Sequence, residues 1–418
     1  MYRNDREFPL ELDREDPIAK YRENFYIPSH NGREAVYLCG NSLGLQPKKT
    51  EEYIGEELQD WKTLGVEGHL QAKHPWLYYH HFLEEPVAKL AGASPLEVVV
   101  MNTLTVNLNL LMVSFYRPSK QRYKIIMEQM AFPSDQYAME MQVKFHGFNP
   151  EDAIIEAKPR AGEHTIRTED LLELIDRHKD ELVLVMMGGV NYYSGQLFDI
   201  PAITKAAHEA GAIAGFDLAH AAGNVPLHLH DWDVDFACWC SYKYLNSGPG
   251  GVSGVFIHER FAHNFSLPRF AGWWGNEEKT RFQMKKGFFP QPGAAGWQQS
   301  NAQILPMAVH RASMEIFDEV GIEALQQKSR NLTGYMEHLL MDIPGNEFTI
   351  ITPSDPQQRG CQLSILTGDR GKMLFDKLTE NGVIADWREP NVIRVAPVPL
   401  YNSFEDVWRF AEILRDNL

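Results

Sequence analysis

Residues 235–251 read Asp-Phe-Ala-Cys-Trp-Cys-Ser-Tyr-Lys-Tyr-Leu-Asn-Ser-Gly-Pro-Gly-Gly. An apolar run ending at Cys240 delivers Lys243, and a glycine-rich loop follows at once. Upstream, residues 215–223 read Gly-Phe-Asp-Leu-Ala-His-Ala-Ala-Gly, with Asp217 at the carboxyl end of another apolar run. In open α/β sheets that edge is where ligands bind. A lysine delivered by a buried strand is costly unless it is paired or neutral. Burial favours the neutral amine, the form that adds to an aldehyde.

An acid on one strand end and a lysine on the next is the pair that pyridoxal phosphate needs. The lysine holds the aldehyde carbon, and the carboxylate keeps the pyridine nitrogen protonated so that the ring accepts electrons. The plainer alternative is a buried Asp217–Lys243 ion pair. Two further strand ends weigh against it. Asn102-Thr103-Leu104-Thr105 opens a helix, where Thr103 is placed to cap and the free N–H groups and the Thr105 hydroxyl to cradle a phosphate. Phe132-Pro133-Ser134-Asp135 offers a ring to stack on the pyridine and a second carboxylate near its nitrogen.

Outward from these motifs, apolar strands alternate with helices. Strands are predicted at Val98–Met101, Tyr123–Met127, Leu182–Met187, Ala212–Phe216, Val234–Cys240 and Val252–Ile257, with a helix at Ile200–Glu209. This is the α/β pattern of a mainly parallel sheet covered by helices on both faces. Beyond Asn301, the spacing predicts helices at 302–320, 322–341 and 404–416 and short strands at 348–351, 362–366 and 392–395. The expected organisation is an arm (1–49) packing with the small domain, a large cofactor-binding domain (50–303) and a small C-terminal α+β domain (304–418).

The whole chain has 418 residues and a net charge of -16, which argues against nucleic-acid or anionic-membrane partners. Its 4 cysteines form no C-x-x-C pair and fit a reducing, cytoplasmic compartment. Met1–Tyr21 has no apolar core of a signal peptide, and Val98–Tyr116 is broken by asparagines, so no membrane span is expected.

The chain resembles the kynureninase family, pyridoxal-phosphate enzymes of fold type I. The resemblance runs from about Tyr37 to Tyr401 and rests on Gly40-Asn41-Ser42-Leu43-Gly44-Leu45-Gln46-Pro47, Asn102–Asn107, Phe132–Asp135, Gly215–Gly223 and Asp235–Asn246. Gly272-Trp273-Trp274-Gly275, Ser300-Asn301 and Arg359–Ser364 complete it. It implies hydrolytic Cβ–Cγ cleavage of L-kynurenine, or its 3-hydroxy form, to anthranilate (3-hydroxyanthranilate) and L-alanine. It implies that Lys243 binds the aldehyde and moves the proton, Asp217 pairs the ring nitrogen beside Asp135, and Phe132 stacks. Leu104 and Thr105 hold the phosphate, Tyr242 reaches it and is a candidate proton donor, and His220 joins the pocket. Trp273 and Asn301 come from the second subunit of a homodimer. Substrate contacts fall to Ser42, His69, Ser300, Asn301 and Arg394, the last clamping the α-carboxylate. Some members carry a phosphate-side Ser where this chain has Gly188. His69 and Ser300-Asn301 look like those of members that prefer the 3-hydroxylated substrate.

Two rival readings are a cysteine desulfurase or selenocysteine lyase of the same fold, using Cys361, and a non-catalytic protein on this scaffold. Cys361, Leu363 and Ile365 alternate with Gln362 and Ser364, which reads as strand packing. His80-His81 and His228-x-His230 have no carboxylate at ligand spacing, so no metal site is expected.

Overall fold

The computed structural model describes residues 2–345 and 348–418; Met1, at the head of the predicted arm, lies outside them. The central sheet contains β1 (Val98–Met101), β2 (Lys124–Glu128), β3 (Ile154–Ala157), β4 (Leu182–Gly188), β5 (Ile213–Asp217), β6 (Phe236–Cys240) and β7 (Ser253–Ile257). Its order is β1-β7-β6-β5-β4-β2-β3. Neighbours from β6 through β3 pair in parallel, whereas β7 is antiparallel to both β1 and β6. The sheet is therefore mainly parallel, as the fold class expected from the sequence requires. Between β6 and β7 the chain is a loop with no crossover helix, and a parallel return needs one.

The apolar runs are buried on both faces. Val99, Phe236 and Cys238 pack into one layer with Leu111 and Phe115, while Val100, Ala237 and Trp239 pack into the other with Val87 and Phe317. Each large apolar side chain so buried contributes about 1.5–3 kcal/mol. The first layer includes α1 (Leu104–Phe115) and α2 (Pro133–Phe145).

A second sheet, antiparallel, contains β8 (Thr349–Ile350), β9 (Leu363–Leu366), β10 (Asp386–Arg388) and β11 (Val392–Val395) in the order β8-β9-β11-β10. Helix Phe404–Asp416 buries Phe404, Val407, Phe410, Ala411 and Leu414 at helical spacing against it. Its start is fixed by a capping box, Ser403 and Asp406 each accepting the other's backbone N–H. Residues 2–49 are more structured than their charge and Pro/Gly content announce: Glu7–Glu15 is a helix, and Val36–Tyr37 pairs in parallel with Val383–Ile384. Among the described residues, no helix is long and apolar enough to cross a membrane.

Candidate active site

The carboxyl ends of β1, β2, β4, β5 and β6 lie along one edge of the central sheet and enclose a cavity of about 220 Å³. Leu104, Thr105, Phe132, Asp135, Asp217, His220, Tyr242 and Lys243, all expected from the sequence, line it together.

Half-buried Lys243 directs its amine to His220 Nε2, 3.0 Å away, and lies 5.7 Å from the Phe132 ring centroid. Burial, then the cationic Lys243, Arg394 and Arg388, hold the His220 imidazole well below its usual range. The ring is therefore neutral and accepts from the lysine; its Nδ1 is buried without a partner. Backbone contacts seat the lysine from the other side. Gly44 donates its N–H to the Tyr242 carbonyl at 2.8 Å, and a Cβ at Gly44 would overlap the Lys243 carbonyl oxygen. Only glycine permits the arm to lie there.

Asp217 accepts the Ala219 N–H at 2.8 Å. Asp135, buried beside it, is pushed well up by burial and by the Asp217 charge, so it carries a proton and donates it to Asp217. One carboxylate and one carboxylic acid thus share the site, as like charges this close require. Burial, then Cys240, raises the Tyr242 phenol, which keeps its proton at neutral pH.

The expected Thr103 cap does not form. Asn102 sits at φ 46° and donates to Asn107 Oδ1 at 3.0 Å, while Asn107 donates to the Met101 carbonyl at 2.9 Å. That pair fixes the turn in place of Thr103. The first-turn N–H groups of α1 are left without a side-chain acceptor, which suits a phosphate. An uncapped helix start, a carboxyl pair, an aromatic face and a lysine around one cavity fit pyridoxal phosphate.

Other expected residues lie outside the cavity lining in the single chain. Trp273 is exposed and donates to the Arg281 carbonyl at 3.4 Å; Ser300 and Asn301 are also exposed. His69 Nδ1 meets the Val66 carbonyl at 2.9 Å, and Ser42 donates its N–H to Cys39 O at 3.0 Å. Arg394 is buried, its fork donating to the Tyr192 carbonyl and to Asp386, both at 2.6 Å, with Nε left over.

Cys361 is fully buried, donates its backbone N–H to Asn224 Oδ1 at 2.9 Å, and its thiol is pushed up to about 12 by burial. Such a thiol is not a nucleophile at neutral pH. The histidine pairs do meet carboxylates, contrary to the sequence reading: His81 reaches Glu84 at 2.7 Å and His230 reaches Glu97 at 3.0 Å. Glu84 is one helical turn after His81, and Glu97 arrives from a distant segment.

Glu128 was missed. It ends β2, is buried, and lines the cavity. The signal was available, an acid closing an apolar strand as Asp217 does. Gly188 faces it: a Cβ there would stand 3.1 Å from Glu128 Oε1.

A sequence model described as the Kynureninase C-terminal domain matches residues 325–414. Curated kynureninases are similar along the whole chain. That of Flavobacterium psychrophilum is 55% identical over 421 residues, covering 100% of this chain and 99% of its own. That of Myxococcus xanthus is 56% identical, covering 99% and 97%, and that of Nematostella vectensis 49%, covering 98% and 93%. Among solved structures, the cysteine desulfurase CsdA of Escherichia coli has a TM-score of 0.76 at 17% identity, covering 98% of each chain. The cystine C-S lyase C-DES has a TM-score of 0.77 at 16% identity, covering 92% of this chain and 98% of its own. These two likenesses establish the shared fold, while the activity is decided by the close, full-length relatives. The chain belongs to the kynureninase family, and it is a pyridoxal-phosphate enzyme that cleaves kynurenine by hydrolysis.

Proposed function

We propose that Lys243, Asp217 and Tyr242 carry the hydrolysis of L-kynurenine or 3-hydroxy-L-kynurenine, with one water consumed and L-alanine released. The observation that supports this most is the convergence of the Lys243 amine and the Asp135–Asp217 pair on one cavity. Bound pyridoxal phosphate supplies an electron sink and an aldehyde carbon. Lys243 holds that carbon and moves the proton of the substrate Cα. Asp217, ionised, keeps the ring nitrogen protonated, and Asp135 keeps its own proton directed at Asp217. Phe132 packs on the ring face, and the N–H groups at Leu104 and Thr105 take the phosphate. His220 holds the lysine amine between transfers. Tyr242, protonated, donates to the carbon left when Cβ–Cγ breaks. Arg394 exchanges Asp386 for the substrate carboxylate, and Ser42 completes that end. The organisation proposed is an arm (1–49), a large cofactor-binding domain (50–303) and a small C-terminal domain (304–418), and the free cysteines support a cytoplasmic setting.

The working unit is a homodimer. Trp273 and Asn301 serve the cavity of a second copy rather than their own. Supporting this, α2 exposes Tyr137, Met141 and Phe145 one turn apart beside the site. Sedimentation at assay concentration is expected to find a dimer; an active monomer contradicts it.

His69 and Ser300-Asn301 then line the aryl pocket and favour the 3-hydroxylated ring. With Nδ1–H donated to Val66, His69 presents Nε2 as an acceptor for a ring hydroxyl. A site built for a hydroxyl disfavours an analogue lacking it. The kcat/KM for 3-hydroxy-L-kynurenine is expected to exceed that for L-kynurenine, and His69→Trp to invert the preference. An unchanged ratio rejects the pocket assignment.

A further inference from the structure

Glu128 is 5% exposed. Its Oε2 accepts the Gly188 N–H at 3.1 Å and its Oε1 the Asn191 amide at 3.4 Å. Both donors are neutral. Asp217 on β5, which acts on its charge, has the same sign. Asp135 from α2 and the Tyr192 phenol from the segment after β4 also feel its charge. Lys243 acts on Asp217.

Three carboxyl groups therefore occupy one end of the cavity. Their hydrogen bonds sort them. Burial raises Asp217, opposed by a backbone donor, a lysine and the Asp135 proton, and with Asp135 raised further it is the ionised member of the pair. Asp135 is the donor. Among the described residues, Glu128 has two longer hydrogen bonds, both from neutral groups, and no cation beside it. Glycine at 188 leaves the space its carboxyl fills, both oxygens lying 3.1–3.3 Å from where a Cβ would stand.

We propose that Glu128 is a positioning residue for the reaction: by gaining or losing one proton, its carboxyl sets the negative charge behind Asp217 and hence the proton affinity of the cofactor's ring nitrogen. Ionised Glu128 adds a second negative charge to that of Asp217 and strengthens retention of the ring proton. Neutral Glu128 withdraws it. Burial, opposed by the Gly188 N–H, pushes this carboxyl up to about 7, so the change falls within the working pH range.

Two measurements on Glu128→Gln test this. The first uses the apoprotein and is independent of the role given to Asp217. A folded-state pKa above that of an unfolded glutamate contributes stability in full at low pH, which is lost as pH rises through about 7. The melting temperature of Glu128→Gln minus that of wild type is expected to grow by about 3 °C between pH 5 and pH 8. A difference that stays constant with pH overturns the proposal, whatever its size. The second measurement, on the holoenzyme, rests on Asp217 meeting the ring nitrogen. The cofactor absorption band of wild type is expected to shift with pH near neutrality, and Glu128→Gln to lose that step. Identical pH profiles overturn the proposal. Should the variant not fold, infrared difference spectra of wild-type apoprotein decide. Loss of a protonated-carboxyl stretch between pH 6 and pH 8 supports it, and no loss rejects it.

Discussion

Lys243→Ala is expected to fold, to form no borohydride-reducible link with pyridoxal phosphate, and to lose turnover by at least about 10³-fold. The lysine contributes little to the core, since it is half-buried and its amine contacts His220. Its removal leaves His220 Nε2 unpaired, a cost of about 1–3 kcal/mol that a chain of this size tolerates. What cannot be replaced is the nucleophile. Free amines in the medium reach the aldehyde, but none is held between an aromatic face and a neutral imidazole acceptor. Peptide mapping of reduced wild-type protein is expected to place the label on Lys243, and a label on another lysine rejects the assignment.

Asp217→Asn is expected to retain the cofactor while its rate falls by about 10²–10⁴-fold. The amide still accepts the Ala219 N–H, so the strand end keeps its shape. It has no negative charge, so the ring nitrogen loses its proton and the electron sink weakens. The Asp135 proton would then point at a neutral oxygen, and Asp135 has no cation to replace the charge. Near wild-type turnover would transfer the role to Asp135.

Much of this site was legible because it is built from strand ends. Apolar runs mark where β1, β5 and β6 stop, and the residues after each stop face the same edge whatever the loops do. Exact matches at Ile200–Glu209, Ile322–Met341 and Phe404–Asp416 follow from strong helical periodicity closed by clear breakers. Helices Lys49–Leu64 and Thr168–His178 were not read, because charged residues outnumber the few apolar positions on their buried faces. The Thr103 cap failed because a pair of asparagines, five residues apart, competed for the same turn. Glu128 was passed over because a glutamate before a polar Gln129 looks like the start of a loop. Its depth is set by Gly188 on another strand.

The seat of Lys243 joins residues far apart in the order of synthesis. Gly44 presses on the lysine's backbone, and the arm carrying Gly44 is tied down where Val36–Tyr37 pairs with Val383–Ile384. A nascent chain that has released the whole central sheet from the ribosome still lacks this strand partner. Contacts of such sequence separation form late, because loop closure must be achieved first. The lysine therefore acquires its final surroundings only after Val383–Ile384 has been made, long after its own strand.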